Sequence, residues 1–549
     1  MPFTLPRPAQ SVARQLLATL VFIACCLMAA AQTPVTLYNF KESKGDVATP
    51  VPYGVVAQGR DGKLYGANHN GGANGAGGIY SISSAGVETV IYSFPSNYIS
   101  CQPGLTLARD GNFYGDCLAG GANGYGLLYR VTPTGTFTNL HDFTAGTDGG
   151  NPNGPPVLAK DGNLYGATTN GGPSGNGVVY KLSATTGTVT PIYSFTGGAD
   201  GAHPSAPLVQ GSDGNLYGTA QNGGAGGSGV IFKMTTSGKI KVIHTFTGSD
   251  GNQPIGALAQ AADGSFFGTT YQGGANSAGT VFRVTSAGSY KLLHSFSTTS
   301  GGQNPETALV LATDGNFYGT TNTYLATQDS LFKVTQKGVY SNVYTFDGTS
   351  STLGVGLANG PVQHTNGILY GATSGSAGTL GDGTIYSLTV AAAKPYARLV
   401  TTAGPVGTSI GILGQGFKST SIVKFNGVQV ASVSGSSTYL AVSVPNGALT
   451  GAVTVTTGTT TLTSNQSFLV SPKITSLTPT HGVVGTPVKI TGTGLTQATA
   501  VTFGGVAATF TVNSDVQITA TVPAGAVTGS IGVVTPGGSS SSSTAFTVQ

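Results

Sequence analysis

The chain has no tryptophan, three methionines and four cysteines in 549 residues, and only 8% of its residues are charged. An ordinary soluble domain carries roughly a quarter. So little charge leaves no dense basic patch, which argues against nucleic acid as a partner. Only three glutamates occur, Glu42, Glu88 and Glu306, in non-equivalent positions of the pattern described below. A carboxylate pair for glycosidic or lyase chemistry cannot be assembled from them. After the N-terminus no apolar run is long enough to span a bilayer.

What is abundant is glycine, 87 residues, with 39% hydrophobic residues recurring at regular intervals. Regular recurrence argues against disorder. Glycine supplies the positive φ of tight hairpin turns, so the profile suits an all-β chain. The first 31 residues read as a secretory signal: Arg7 and Arg14, an apolar core from Leu16 to Met28, then "AAAQ". Cleavage after Ala31 leaves 21 basic against 19 acidic residues. It predicts a secreted or cell-surface protein with no transmembrane segment. A lipoprotein reading through Cys25 is the alternative. Cys101 and Cys117 remain in an oxidising compartment. They fall on two strands of one predicted hairpin, so a disulfide is geometrically conceivable; their asymmetric offset from the turn leaves both outcomes open.

"DGNLYGATTNGGPSGNGVVYKL" (161–182) returns as "DGNLYGTAQNGGAGGSGVIFKM" (213–234). The Asp-Gly pair falls at Asp61, Asp110, Asp161, Asp213, Asp263 and Asp314, with Asn366-Gly367 as a seventh copy. Seven copies at steps of 49 to 52 residues indicate a repeat architecture. Each copy holds four short strand signals, the first two joined across the Asp-Gly turn. Four strands per repeat predict a seven-bladed β-propeller over residues 32–390. A fourth-strand pattern ends at Phe40, Phe94, Phe143, Phe195, Phe246, Phe296 and Phe346. Its first copy precedes the first Asp-Gly unit and the last unit lacks one. The N-terminal strand is therefore expected to complete the seventh sheet and cover its edge.

Residues 391–549 carry a second duplication at a constant offset of 78: "VGTSIGILGQGF" (406–417) against "VGTPVKITGTGL" (484–495), and "VKFNGVQVA" (423–431) against "VTFGGVAAT" (501–509). Alternating apolar residues predict two tandem β-sandwiches, 391–471 and 472–549.

Two resemblances follow. The "DGNLYG", "GG" and "GVVYKL" units resemble the GloVer tandem repeats of bacterial "choice-of-anchor" surface proteins over about residues 35–390. "SPKITSLTPTHGVVGTPVKITGTGL" and "VPAGAVTGSIGVVTPGG" resemble IPT/TIG domains, an immunoglobulin-like family; the first sandwich matches more weakly. The first resemblance implies a secreted or surface-attached protein and names no reaction. The second implies spacers or interaction modules.

Several motifs favour structural readings. One carboxylate per Asp-Gly turn is too few for a calcium loop. Asp148, Asp200 and Asp250, between repeats, are weak metal candidates. His141, His244 and His294 alternate with tyrosine at equivalent positions and fill a packing slot. The row Arg130, Lys181, Lys233, Arg283 and Lys333 is strand decoration. "GTSIG" around Ser409 lacks the strand-to-helix turn of a nucleophile elbow. No catalytic residue and no cofactor is predicted. Loops between the second and third strands emerge with the inter-repeat linkers, opposite the Asp-Gly turns. On that side His69, Tyr125, His203, Tyr271, Tyr324 and Asp329 break the repeat and are the candidate contacts. The expected function is non-enzymatic binding or adhesion to an extracellular glycan or protein. The alternatives are a secreted polysaccharide-active or lyase-type enzyme and a structural envelope role.

Overall fold

A computed structural model describes residues 32–40, 47–48, 56–101, 104–297, 302–322, 329–346, 353–357, 359–375, 383–390 and 392–549. The predicted signal and Tyr324 lie outside them. The described residues form β-structure throughout, with no helix.

Each repeat folds into one antiparallel sheet whose strands lie in sequence order. In the fourth repeat these are Val209–Gln210, Leu216–Ala220, Val230–Met234 and Ile240–Thr245. The "DGNLY" signature is a self-contained turn. Gly214 takes φ +84°, which a glycine tolerates without strain. Asp213 Oδ1 accepts the backbone N–H of Asn215 at 3.1 Å, while Oδ2 accepts the Asn215 amide at 2.9 Å and the Tyr217 hydroxyl at 2.7 Å. The aspartate thus fixes both the turn and the start of the next strand. The fifth repeat has Phe267 in place of the tyrosine. There Ser265 and Arg283 bind Asp263 instead, at 2.5 and 2.6 Å.

The glycine after that tyrosine serves the third strand. A Cβ on Gly218 would sit 2.6 Å from Phe232 Cζ, so only glycine lets the ring lie flat across the second strand. The same aromatic meets the closing phenylalanine of the preceding sheet. Phe94–Tyr129, Phe143–Tyr180, Phe195–Phe232, Phe246–Phe282, Phe296–Phe332 and Phe346–Tyr386 have ring centroids 5.2 to 5.7 Å apart. The seventh pair is Phe40–Tyr80, at 5.2 Å.

Phe40 follows the N-terminal strand Val35–Asn39, which pairs antiparallel with Thr384–Leu388 of the seventh repeat; Val35 faces Ser387 and Asn39 faces Thr384. The expected edge strand is therefore in place. Residues of the seventh and first repeats share one buried cluster that includes Phe40, Tyr80, Tyr370 and Ile385. Polar latches at the turn end repeat the connection. Gln58 accepts the backbone N–H of Thr365 at 3.0 Å and donates to its hydroxyl at 2.8 Å, joining the first repeat to the seventh. Gln210, Gln260 and Gln363 likewise accept the backbone N–H groups of Lys160, Ser212 and Thr313 in the preceding repeats. Arg60 donates to Arg109 O and Arg109 to Lys160 O, at 2.5 and 2.9 Å.

Cys101 and Cys117 are disulfide-bonded and buried. Cys101 does not lie on a strand of the hairpin. It sits in the linker entering the second repeat, while Cys117 ends that repeat's second strand.

Beyond residue 395 the offset of 78 is written into two cores. Ile410, Ile412, Val423, Phe425, Leu440, Val453 and Phe468 are buried in the first. Val488, Ile490, Val501, Phe503, Ile518, Ile531 and Phe546 occupy the same places in the second. The edge-to-face pairs Phe425–Phe468 and Phe503–Phe546 match at 5.1 and 5.2 Å. The first of these units rests on the Asp-Gly turns. Thr438 donates to Arg60 O at 2.7 Å, and the Arg60 guanidinium lies 4.5 Å from the Tyr439 ring centroid. Arg109 Nε donates to Thr401 at 2.9 Å, Gln415 to Thr365 at 3.1 Å and Tyr396 OH to Gln363 O at 2.7 Å.

Candidate ligand-binding face

Four antiparallel strands put their connections at two ends. The Asp-Gly turns form the turn end, which the first sandwich meets. The loops between second and third strands and the inter-repeat linkers form the opposite, linker end.

Four of the linkers are built on a strained residue followed by proline; in a fifth Ser100, at φ +55°, precedes Cys101. Asn151, His203, Gln253 and Asn304 adopt φ of +54 to +58°, and each precedes a proline. An unusual backbone persists where surrounding bonds over-determine it. Here Asn151 Nδ2 donates to Leu118 O at 2.9 Å and Asn304 Nδ2 to Tyr271 O at 3.0 Å. His203 Nδ1 does the same work, 2.9 Å from Thr169 O. A carbonyl can only accept, so Nδ1 is the donor and Nε2 is free of this bond. In turn the residue leaving the second strand donates its N–H to the strained residue: Leu118 to Ser100 O, Gln221 to His203 O, Tyr271 to Gln253 O and Asn322 to Asn304 O. Linkers and strand exits of the second to sixth repeats thus carry a belt of hydrogen bonds along the linker end.

The strand-exit position holds His69, Leu118, Thr169, Gln221, Tyr271, Asn322 and Ser374, seven different residues. Three positions earlier every repeat has glycine. Two polar atoms at these exits, His69 Nδ1 and Thr169 Oγ1, are buried without a protein partner. Burial holds the His69 imidazole below the usual histidine range, so it is neutral at pH 7. Burial, and then the nearby Glu306 carboxylate, push the Tyr271 phenol above its ordinary value.

The structure therefore brings His203 and Tyr271 into the belt and gives His69 the equivalent exit position. Tyr125 lies beside them: it is 45% exposed and its carbonyl accepts the Asn151 N–H at 2.7 Å. Asp329 is different. It is fully buried, stands where other repeats have glycine, and accepts the Leu357 N–H of the seventh repeat at 3.3 Å. In four other linkers a proline packs over that glycine, as Pro254 does over Gly229. Asp329 latches two repeats and offers no accessible contact.

The linker aspartates are also engaged. Asp250 accepts Thr247 N, Thr247 Oγ1 and His244 Nε2 at 2.8, 2.9 and 3.0 Å. Asp148 binds Thr144 and His141, and Asp200 binds Thr196 and Tyr193, in the same way. Each contributes one carboxylate to its own linker. Among the described residues no three His, Cys, Asp or Glu side chains converge as a metal site.

One further buried group was not anticipated. Asp116 replaces a small residue in the second strand of the second repeat and is fully buried. Oδ2 accepts Gly154 N–H at 3.3 Å while Oδ1 has no protein partner. Burial pushes its carboxyl up to about 7. The belt itself was also missed. Its only sequence signal is the proline nine residues before the Asp-Gly turn, at Pro152, Pro204, Pro254 and Pro305; Cys101 takes that place in the second repeat.

A family model described as the Gloeobacter/Verrucomicrobia repeat matches residues 51–263 and 242–410. The chain belongs to the Gloeobacter/Verrucomicrobia repeat family. In this member of the family, residues 472–548 match the IPT/TIG domain. No curated protein matches the chain in sequence. Among solved structures, a fungal alcohol oxidase of the AA5 family in complex with copper aligns at 14% identity, over 91% of this chain and 98% of its own, with a TM-score of 0.42. SGBP-B from a xyloglucan utilisation locus of Bacteroides uniformis aligns at 20% identity, over 28% of this chain and 50% of its own, with a TM-score of 0.15. A Gloeobacter/Verrucomicrobia repeat followed by IPT/TIG fits a surface or binding protein. Among the described residues no helix is long and apolar enough to cross a membrane.

Proposed function

We propose that this chain is a secreted or surface-displayed, non-enzymatic binding protein. In this reading residues 32–390 form a seven-bladed β-propeller, and the sandwiches at 391–471 and 472–549 present it. The seven Phe–aromatic contacts, the last of them Phe40–Tyr80, support a closed ring. The ligand, a glycan or a protein, binds at the linker end through His69, Tyr125, His203 and Tyr271.

The observation that carries the reading is the asymmetry of the two ends. The turn end is met by the first sandwich through Arg60, Arg109, Gln363 and Thr365. The linker end carries the belt, with one diversified side chain per repeat on an otherwise uniform scaffold. Diversity at one loop position of a repeated frame is what ligand selection requires.

Glycan and protein arrays probed with the full chain test the proposal. A ligand whose binding falls in His203→Asn is expected. Asparagine already stands at 151 and 304, so the linker keeps its bond while the free imidazole nitrogen is lost. Silence on both arrays would sink the reading.

A further inference from the structure

Within the binding reading above, on which this inference rests, we propose that the ligand is a neutral carbohydrate. It is read by the strand-exit side chains His69, Gln221 and Tyr271.

Charge decides the class first. The described loops and linkers of this end contain no lysine or arginine. Lys41 and Lys44 lie outside the described residues. The described cations of the repeats belong to the Asp-Gly turns, the third and fourth strands and the turns between them, as with Arg60, Lys160, Lys233 and Arg283. Lys160 reaches two carbonyls of the next repeat, while Lys233 and Arg283 pair with Asp213 and Asp263. A polyanion such as a uronate-rich polysaccharide needs cations at its contact surface. The exit side chains are neutral instead; of the acids at this end Asp116, Glu306 and Asp329 are buried, while Asp142, Asp148, Asp200 and Asp250 are partly exposed and bonded within their own loops and linkers.

Apolar content decides next. A protein interface is organised around a buried core of aromatic and aliphatic anchors. Tyr125 and Ile99 are the large hydrophobic side chains exposed at this end among the described residues. Two such residues do not make that core.

What remains is hydrogen-bonding capacity next to flat rings. Gln221 offers an amide, Tyr271 a phenol and His69 a neutral imidazole; the Thr169 hydroxyl and His69 Nδ1 are buried beneath them. The Gln221 and Tyr271 side chains make no hydrogen bond within the described residues. Donors and acceptors of both kinds, without net charge, match the vicinal hydroxyls of a sugar. Aromatic faces beside them suit the C–H surface of a pyranose.

The full chain is run by affinity electrophoresis and calorimetry against neutral polysaccharides (β-glucan, xylan, galactomannan) and anionic ones (polygalacturonate, alginate), at low and high salt. The expected result is binding to at least one neutral polymer with affinity independent of salt. Gln221→Ala and Tyr271→Ala each weaken it about ten-fold, the loss of one or two hydrogen bonds. Both variants keep the parent melting temperature, and Lys233→Ala on the third strand binds normally. Binding confined to anionic polymers and weakened by salt would overturn the inference. So would neutral-polymer binding that neither exit substitution changes. A protein ligand released by His203→Asn would overturn the carbohydrate class and leave the binding face standing. No ligand of any class would remove both.

Discussion

The repeated aspartate is a folding device. It closes the turn through Oδ1 and holds the next strand's tyrosine through Oδ2. Removing the hydroxyl in Tyr217→Phe should cost about 1 kcal/mol, the size of one hydrogen bond to a partly exposed group. Calorimetric melts of the two single variants and the double variant test the coupling. Tyr217→Phe should have little further effect once Asp213→Ala is present. Asp116 makes a pH prediction. Its folded carboxyl titrates at about 7, above the ordinary aspartate value of roughly 4. Across that window the folded state keeps a proton that the unfolded chain has lost. Stability therefore falls as pH rises from about 4 to about 7 and levels off above. Asp116→Asn should melt higher than the parent at pH 8 and lose that advantage near pH 4. An advantage that does not change with pH would mean the carboxyl titrates normally.

At the scale of the strand and linker, two features hold the sheets in order. The N-terminal strand supplies the outer edge of the seventh sheet, and Phe40 carries the contact onto Tyr80. Deleting residues 32–40 should expose that edge, lower the melting temperature and open the seventh repeat to proteolysis ahead of the fourth. The disulfide joins a linker to a strand end 16 residues on, where repeats three to six use proline and threonine or alanine. Reduction should lower the melting temperature, by an amount equal to that of Cys101→Ser with Cys117→Ser. Much of this is legible in the sequence. A two-residue turn signal seven times over, and a phenylalanine count displaced by one unit, are local regularities that strand pairing preserves. The belt was not legible. Its strained residues are Ser, Asn, His, Gln and Asn, alike in backbone angle and unlike in type. Asp329 misled for the opposite reason: a charged residue in a loop looked exposed, and the structure uses it to cap a backbone N–H of the next repeat.

At the scale of the whole molecule, the sandwiches are not loosely strung. Thr535 Oγ1 donates to Val470 O at 3.3 Å, and Thr450 N–H to Gln497 Oε1 at 2.7 Å, so the second unit abuts the first. The first is held on the turn end through Arg60 and Tyr439. Everything at the linker end depends on the sheets meeting round a closed circuit, with residue 35 beside residue 387. The chain with Val35→Cys and Ser387→Cys measures this directly. Their backbones are register partners 352 residues apart in sequence. Mild oxidation should join them within one molecule, giving a faster-migrating species on a non-reducing denaturing gel that reductant restores. If only linked dimers form, or no link forms while the protein remains folded, the circuit is not closed and the assigned ligand face falls with it.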